Sequence, residues 1–366
     1  EIKDVVAYAM SRGVAIIPEI EMPGHSQAAI AAYPFLGCKD QPIHVAKLWG
    51  VFDEIYCTHD STFMFLEDVL DEVMELFPSK YIHIGGDEAP KARWSQCIKC
   101  QQRMQSENLK NESELQSYFI SRMERYINAN GRNIIGWDEI LEGGLTPNAT
   151  VMSWRGTSGA VEAATNGHHV IMTPTSHSYF DYYQSLSDKE PTAIGGFLPL
   201  EKVYEYEPIP TELSVEEAEN IIGTQGNLWT EYMPSEKHVE YMMFPRVLAM
   251  SEVAWSSPKN KDYRQFAKRV KHFHKRLDIL DINYANHLYE INSVISKDSS
   301  GLLYSLTTVL DSDAIRYTLD CSLPTATSMR YSKPISIAKS SILSAVVLGE
   351  DKQLLGPVYR DTVNYH

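Results

Sequence analysis

The sequence predicts an α/β protein built on a (β/α)8 barrel, followed by a small all-β domain. Short apolar, β-branched runs alternate with amphipathic helical stretches, as expected of a parallel sheet whose strands are buried on both faces. Acidic and aromatic residues follow nearly every run, and barrels of this type keep their active sites at the carboxyl ends of the strands. No glycine-rich phosphate-binding sequence follows any run, which disfavours a nucleotide-binding doubly wound sheet.

The apolar runs give the predicted strands. They are Val14–Ile20, Tyr81–Ile84, Asn133–Trp137, Thr150–Trp154, His169–Met172 and Ile221–Gly226. A closed barrel of this type has eight strands, whereas these runs supply six. The chain also begins inside an amphipathic helix over Glu1–Arg12, which Gly13 ends. We therefore expect the first two barrel strands to precede Glu1, so that this chain supplies strands three to eight.

The predicted helices between these strands have recognisable ends. Ser61 precedes a helix over Phe63–Phe77, and Pro78 ends it. Ser113 precedes a second helix, which runs to Asn130 and stops at Gly131. Three more helices are predicted over Thr157–Asn166, Ser235–Met250 and Asp262–Leu280.

The sequence pattern changes after about Asn283. Ala314–Leu319, Thr327–Tyr331 and Ile342–Leu348 alternate in the manner of strands, with turn-forming residues between them. This predicts a small β-sandwich with an accessory role, because it carries no cluster of acids or histidines. The predicted domains are therefore a barrel over residues 1–283 and a β-sandwich over residues 284–366.

Composition excludes two classes of function. The 366 residues include 33 Lys plus Arg against 48 Asp plus Glu, a formal net charge of −15. Such an acidic protein is a poor partner for nucleic acids or anionic lipid. No run reaches 18 uninterrupted apolar residues, so we expect no transmembrane segment.

The five cysteines give weaker signals. Cys97 and Cys100 have the spacing of half a zinc site, but a second pair at a suitable spacing is absent. The favoured interpretation is two loop cysteines, bonded to each other or not, rather than half of a metal site. Cys38 and Cys57 bracket a long loop and could pair in an oxidising compartment.

The strongest candidate for catalysis is the segment Tyr81–Glu88, a strand that runs into two glycines and two adjacent carboxylates. Neighbours in a regular strand point to opposite faces, but Gly85 and Gly86 free the backbone so that Asp87 and Glu88 can face one pocket. Two close carboxylates need not ionise together, and a raised pKa on one makes a proton donor at neutral pH. The alternative is an acidic pair that only stabilises the start of a helix.

Further motifs follow other predicted strands. They are Pro18–His25, Gly136–Glu139, Ser153–Arg155, Tyr179–Asp181 and Leu228–Glu231. A single tryptophan after a strand is more often a core residue than a ligand platform. Trp137, Trp154 and Trp229 at the ends of three strands instead suggest walls around a flat, weakly polar ring. Carboxylates with an aromatic box predict a sugar pocket.

On these motifs the chain resembles glycoside hydrolase family 20, the β-N-acetylhexosaminidases. The shared segments occur in the family's order and cover about residues 1–280; they are Pro18–His25, His83–Glu88, Trp137–Glu139, Tyr179–Asp181 and Trp229–Glu231. Residues 285–366, with Ile315–Asp320, resemble the β-sandwich module often attached to such enzymes in bacteria.

The resemblance implies exo-acting, retaining hydrolysis of terminal N-acetylglucosamine or N-acetylgalactosamine without an enzyme nucleophile. Glu88 would be the general acid and then the base, while the substrate's acetamido oxygen attacks the anomeric carbon to form an oxazolinium intermediate. Asp87 would orient the acetamido group and stabilise its positive charge, and Tyr179 would donate a hydrogen bond to its oxygen.

The resemblance also implies roles around these three residues. Trp137, Trp154 and Trp229 would enclose the sugar, and Asp181 and Glu231 would accept hydrogen bonds from its outer hydroxyls. His25 would tune the protonation of Glu88, with a packed loop histidine as the alternative. Glu19, Glu21 and His83 are expected to support the barrel. The arginine with which the family grips the terminal sugar has no counterpart in this chain.

We expect no cofactor and no metal ion. The expected partner is an oligosaccharide or glycoconjugate that ends in an N-acetylhexosamine, and the expected location is periplasmic, cell-surface or secreted. The residues alone leave three other interpretations open: a metal-dependent barrel hydrolase, a catalytically impaired carbohydrate-binding barrel, and a retaining glycosidase whose nucleophile is Glu139 or Glu231.

Overall fold

A computed structural model describes residues 1–39, 41–144, 146–298, 301–309, 314–349 and 353–363. The chain forms two compact units. The first unit comprises Glu1–Ser176 and Pro208–Gln225, and the second comprises His177–Glu207 and Gly226–His366.

The α-helices of the first unit follow the predicted β/α repeat. They are α1 (Ile2–Ser11), α2 (Gln27–Ala32), α3 (Asp60–Leu76), α4 (Ala92–Gln96), α5 (Ile98–Ser106), α6 (Glu112–Ala129), α7 (Ser158–Thr165) and α10 (Val215–Ala218), with α8 (Thr175–Ser178) at the unit's boundary. Short 3-10 helices cover Pro34–Leu36 and Asp138–Leu141.

Five parallel strands form the sheet of the first unit. They are β1 (Tyr81–His83), β2 (Asn133–Trp137), β3 (Thr150–Ser153), β4 (Val170–Met172) and β5 (Ile221–Thr224). Each strand pairs in parallel with its neighbour in the sequence, in the order β1-β2-β3-β4-β5. This order and direction are those of a (β/α)8 barrel, so that all five carboxyl ends lie at one edge of the sheet.

The prediction that Val14–Ile20 forms a regular strand is wrong. It is extended beside β1 but forms a single parallel bridge, between Glu19 and His83. The His83 amide donates to the Pro18 carbonyl, and the Ile20 amide donates back to the His83 carbonyl. Proline has no amide hydrogen to contribute, which limits the ladder to this short stretch.

Two helices begin earlier than predicted, because residues outside the predicted pattern cap them. α3 starts at Asp60, with the His59 side chain accepting from the Ser61 amide. α6 starts at Glu112, because the Asn111 side chain accepts from the amides of Ser113 and Glu114. Asparagine is among the best N-cap residues, since its oxygen satisfies amides that have no partner within the helix.

The second unit contains the remaining helices and all the antiparallel strands. Its helices are α9 (Leu200–Glu205), α11 (Glu236–Met243), α12 (Arg246–Trp255) and α13 (Tyr263–Ile279), with 3-10 helices at Pro258–Asn260 and His287–Tyr289. The prediction of a single helix over Ser235–Met250 is wrong, because this segment divides into α11 and α12 at Phe244–Pro245. Pro245 lacks the amide that would continue the first helix.

The strands of the second unit form two antiparallel sheets. They are β6 (Asn292–Asp298), β7 (Gly301–Thr307), β8 (Ile315–Thr318), β9 (Met329–Arg330), β10 (Ile335–Ile337), β11 (Ser341–Leu348) and β12 (Leu354–Val363). One sheet has the order β10-β7-β6 and the other β12-β11-β8-β9. The Tyr304 hydroxyl joins them by donating to Asp361 at 2.7 Å. This is the all-β domain that the sequence predicts after the barrel.

Within the described residues, no helix is both long and apolar enough to cross a membrane. The boundary at residues 283 and 284 between the predicted domains remains a prediction.

Candidate active site

The two adjacent carboxylates lie on a sharp turn directly after β1. Gly85 and Gly86 have positive φ angles of +69° and +96°, and Glu88 itself has φ +43°. The Trp137 amide holds the turn by donating to the Gly85 carbonyl at 2.8 Å. A non-glycine residue in the left-handed region is strained, and such residues cluster at functional sites. The strain at Glu88 is therefore consistent with the predicted catalytic turn.

Glu21 is packed directly against this turn. Its Oε1 accepts from the Gly86 amide at 2.9 Å. Burial, followed by the nearby charge of Asp87, raises the pKa of Glu21 well above its usual value. Glu21 and Asp87 are therefore two carboxyls that interact electrostatically beside the turn.

Replacing Gly85 with alanine should destabilise the protein more than an equivalent change elsewhere. A Cβ on Gly85 would lie 1.8 Å from Glu21 Oε1. The left-handed backbone costs about 1–2 kcal/mol for alanine, and forced overpacking adds about 1–3 kcal/mol. Gly131→Ala is the matched control, since Gly131 has φ +73° and open space around its Cβ. The free energy of unfolding of each variant, measured in denaturant, checks this, and equal losses would show that the Glu21 contact is unimportant.

His25 lies between the two carboxylates of the turn. Its Nε2 is 3.4 Å from both Asp87 Oδ2 and Glu88 Oε2. The hydrogen bond with Asp87 raises the pKa of His25, and the charge of Glu88 adds to this against the opposing effect of burial. Gly24 allows the close approach, because a Cβ there would lie 2.7 Å from the Asp87 carbonyl oxygen. The prediction that His25 adjoins Glu88 is thus consistent with the geometry.

Trp137 lies at the end of β2, in contact with Glu19 and His83. Its indole Nε1 donates to Glu19 Oε1 at 3.0 Å, and its ring centroid is 4.8 Å from that of His83. Hydrogen bonds from His83 and Trp137 lower the pKa of Glu19, although burial opposes them. Only 4% of Trp137 is exposed, so it forms a fixed wall.

The adjacent acids Asp138 and Glu139 have different environments. Asp138 accepts from the backbone amides of Trp154 and Arg155 at 3.2 and 3.3 Å, and it pairs with the Arg155 guanidinium. Glu139 Oε2 accepts from Trp154 Nε1 at 2.9 Å. Burial raises the pKa of Glu139 to about 7, although Trp154 and Arg155 oppose it. Asp138 thus shapes the turn after β3, and Glu139 positions the Trp154 indole.

The second unit contains the other predicted site residues. Tyr179 forms a parallel bridge with Asn227, with the Asn227 amide donating to the Ser178 carbonyl at 2.6 Å. Burial raises the pKa of Tyr179, although hydrogen bonds with Asn227 and Trp229 oppose the shift. The Tyr179 hydroxyl therefore keeps its proton at neutral pH and can act as a donor. Trp229, at 37% exposed, leaves much of its ring open to solvent.

Asp181 and Glu231 differ sharply in exposure. Asp181 is 4% exposed, and its Oδ1 is buried with no hydrogen-bond partner among the described residues. Burial, together with the nearby charge of Glu231, raises the pKa of Asp181 to about 6. Glu231 itself is exposed. A buried acceptor without a donor is costly, so Asp181 is suited to a ligand hydroxyl.

The segment that carries Tyr179 and Asp181 is held by Arg246, which sequence reasoning missed. Arg246 on α12 is completely buried, and it donates to the carbonyls of Phe180, Tyr182, Leu198 and Met242. A single arginine inside a helix gives no sequence signal for contacts with residues more than 40 positions away. The sequence predicts that Glu19 and Glu21 support the barrel. In the structure Glu19 accepts a hydrogen bond from the Trp137 indole, and Glu21 accepts one from the Gly86 amide.

Among the residues that the structure describes, two groups of side chains have donor atoms close enough to hold a metal ion. One is His25, Asp87 and Glu88, which form the acid–base cluster described above. The other is Cys38, Cys57, Cys97 and Cys100, hereafter the cysteine cluster. The sequence left Cys38 and Cys57 as a separate pair, and the structure instead brings them to Cys97 and Cys100. None of the five cysteines forms a disulfide.

Comparison with sequence families matches most of the chain. The family described as "Glycosyl hydrolase family 20, catalytic domain" matches residues 1–258, and "Chitobiase/beta-hexosaminidase C-terminal domain" matches residues 299–356. A beta-hexosaminidase of Porphyromonas gingivalis is 45% identical over 350 residues, covering 94% of this chain and 45% of that protein. A beta-hexosaminidase of Vibrio furnissii is 36% identical over 259 residues, covering 69% of this chain and 42% of that protein. The chain thus spans about half the length of the curated relatives it matches.

Solved structures agree with the sequence relatives. A GH20 exo beta-N-acetylglucosaminidase from Vibrio harveyi, in complex with N-acetylglucosamine, superposes with a TM-score of 0.70 at 32% identity, covering 77% of this chain and 45% of that one. A beta-N-acetylhexosaminidase from Bacteroides fragilis gives a TM-score of 0.68 at 32% identity, covering 77% of this chain and 57% of that one.

Proposed function

Because the chain belongs to glycosyl hydrolase family 20, we propose that it is the catalytic part of an exo-acting, retaining β-N-acetylhexosaminidase. The observation that carries the proposal is the strained turn that brings Asp87 and Glu88 together around His25, each 3.4 Å from its Nε2. The substrate is an oligosaccharide or glycoconjugate that ends in N-acetylglucosamine or N-acetylgalactosamine.

The proposed reaction has two steps, and both use Glu88. In the first, Glu88 protonates the glycosidic oxygen while the substrate's acetamido oxygen attacks the anomeric carbon, and the leaving group departs as an alcohol. In the second, Glu88 takes a proton from water, which attacks the anomeric carbon and releases the acetamido oxygen. The anomeric configuration is retained because the carbon is inverted twice. The exposure of Glu88 suits these two proton transfers, since the leaving group and water must both reach it.

Asp87 and Tyr179 stabilise the cyclic intermediate in this proposal. The negative charge of Asp87 attracts the positive charge that develops on the acetamido nitrogen. The protonated Tyr179 hydroxyl donates a hydrogen bond to the acetamido oxygen. An intramolecular nucleophile held in this way reacts without the entropic cost of a bimolecular encounter.

The terminal sugar is bound by the remaining predicted residues. Trp137, Trp154 and Trp229 provide apolar walls for the ring, and the buried Asp181 Oδ1 accepts a hydrogen bond from an outer hydroxyl. Glu231 accepts another. Because the outer hydroxyls of the terminal sugar form hydrogen bonds with Asp181 and Glu231, a further sugar attached at those hydroxyls would break the bonds. Cleavage is therefore exo, at the end of the glycan.

One alternative, a protein nucleophile at Glu139, is disfavoured by its environment. A glycosidase nucleophile must be an ionised carboxylate with access to the anomeric carbon. Burial raises the pKa of Glu139 to about 7, and its Oε2 is occupied by the Trp154 indole.

A thiazoline analogue of the cyclic intermediate tests the proposal. We expect the protein from the complete gene to hydrolyse chromogenic N-acetylhexosaminides and to be competitively inhibited by the thiazoline. Substrates that lack the 2-acetamido group are the control and should not be turned over. Efficient hydrolysis of such substrates, or insensitivity to the thiazoline, would favour a protein nucleophile.

A further inference from the structure

We propose that the cysteine cluster is a structural zinc site in the first unit. Its four sulfurs all lie within 4.8 Å of one another. The Sγ atom of Cys100 is 3.7 Å from those of Cys38 and Cys57, and Cys57 Sγ is 3.9 Å from Cys97 Sγ. The site lies apart from the proposed hydrolysis and does not depend on it.

The spacing of the sulfurs is that of a tetrahedral metal site. Zinc–sulfur bonds of about 2.3 Å place the corners of a regular tetrahedron about 3.8 Å apart. The three sulfur separations of 3.7, 3.7 and 3.9 Å match this edge length. A disulfide would bring two of the sulfurs to about 2.05 Å. The arrangement therefore leaves room for one ion at its centre.

The backbone brings the four cysteines together in two pairs. Cys97 is the N-cap residue of α5 and Cys100 lies in its first turn, with the two-residue separation common in zinc sites. The other pair is aligned by the antiparallel bridge between Gly37 and Tyr56, and the Cys57 amide donates to the Leu36 carbonyl at 2.8 Å. Cys38 and Cys57 thus come close enough for their sulfurs to lie within 4.8 Å of each other, although 18 residues separate them in the sequence.

The chemistry of the cluster identifies the class of ion. Four thiolates with tetrahedral spacing select zinc or iron rather than magnesium or calcium, which prefer oxygen ligands. A set of four protein ligands leaves no open position, as in structural rather than catalytic zinc sites. Cys57 and Cys100 are fully buried. The hydroxyl of the adjacent Thr58 is also buried without a partner among the described residues, and a neighbouring thiolate would supply an acceptor.

The cluster holds the segment that supports His25. Trp94 Nε1 donates to the Tyr56 carbonyl at 2.8 Å, and the Tyr56 amide donates to the Pro23 carbonyl at 3.0 Å. Pro23 is two residues before His25. A zinc ion bound beside Tyr56 would therefore fix the loop that carries His25 to the start of α5, and its effect on activity would be indirect.

Metal analysis of the complete, untagged protein tests the proposal. We expect about one zinc per chain in the wild type and in Cys321→Ser, whose cysteine is exposed and outside the cluster. Cys57→Ser and Cys100→Ser should each lose the zinc. The wild-type protein alone gives a second measurement: a mercurial reagent should release zinc in step with its reaction with the four cluster thiols, not with the exposed Cys321. The cluster thiols should resist milder thiol reagents while the protein is folded.

Several results would overturn the zinc site. A metal-free wild type whose four cluster thiols react as freely as the exposed Cys321 would contradict it, as would a mass lower by four hydrogens, which indicates two disulfides. Zinc that persists in Cys57→Ser and Cys100→Ser would place the ion elsewhere. One iron per chain would show a tetrahedral thiolate site but exclude zinc as its metal.

Discussion

Replacing Glu88 with glutamine should nearly abolish hydrolysis of a natural disaccharide while leaving the affinity for the product sugar close to that of the wild type. Glutamine keeps the size of the side chain but cannot donate the proton that an alkoxide leaving group requires. The loss of a general acid typically costs about 10²–10⁴ in rate. Steady-state kinetics on the disaccharide and calorimetric binding of N-acetylglucosamine measure the two quantities.

The leaving group provides an internal control for this variant. An aryl glycoside whose phenol leaves without a proton should lose much less of its first-step rate. Glu107→Gln is a matched control variant, because the side chains of Glu107 and Glu88 are both 38% exposed and Glu107 lies outside the proposed site. Near-wild-type turnover of the disaccharide by Glu88→Gln would contradict its role as the acid.

Replacing Asp87 with asparagine should lower kcat for every substrate, whatever its leaving group. The carboxylate stabilises charge that develops only as the acetamido oxygen attacks, so its loss raises the barrier to ring closure. Removing one such interaction costs about 2–4 kcal/mol, or roughly 30- to 1,000-fold in rate. Affinity for the thiazoline should fall with it. An effect confined to KM would contradict the proposed role.

The same variant has a second readout at His25. Because the hydrogen bond with Asp87 is the largest cause of the raised pKa of His25, Asp87→Asn should lower that pKa toward its usual value. Imidazole chemical shifts followed through a pH titration measure the change. Tyr179→Phe is the comparison, since it removes the other proposed contact with the acetamido group but neither carboxylate beside His25. Its rate should fall by a similar factor.

The barrel class and the family resemblance were predictable from local sequence patterns, and both are confirmed. Strands that are apolar on both faces and helices with clear stop signals reveal a parallel β/α repeat without knowledge of long-range contacts. Gly85 and Gly86 are also a local signal, because two glycines before two acidic residues predict a turn without any knowledge of its tertiary contacts. The roles assigned to the individual site residues remain predictions.

The contacts that could not be predicted join residues far apart in the sequence. Cys38 and Cys57 were assigned to a loop, and only the bridge between Gly37 and Tyr56 reveals that they meet the C-x-x-C pair. Arg246 looked like an ordinary helix residue, and its partners are backbone carbonyls, which carry no side-chain signature. The break at Pro245 was a local signal that the helix prediction over Ser235–Met250 overlooked.

The buried carboxyl groups change the meaning of the protein's acidity. The formal charge of −15 counts every carboxyl as ionised and every histidine as neutral. The pKa of Glu21 is raised well above its usual value, that of Glu139 is raised to about 7, and that of His25 is also raised. Each of these shifts keeps the group protonated up to a higher pH than the group's ordinary pKa would. The raised pKa values of Glu21, Glu139 and His25 therefore make the first unit less negative near the proposed site of cleavage than the formal count implies, which suits an uncharged sugar.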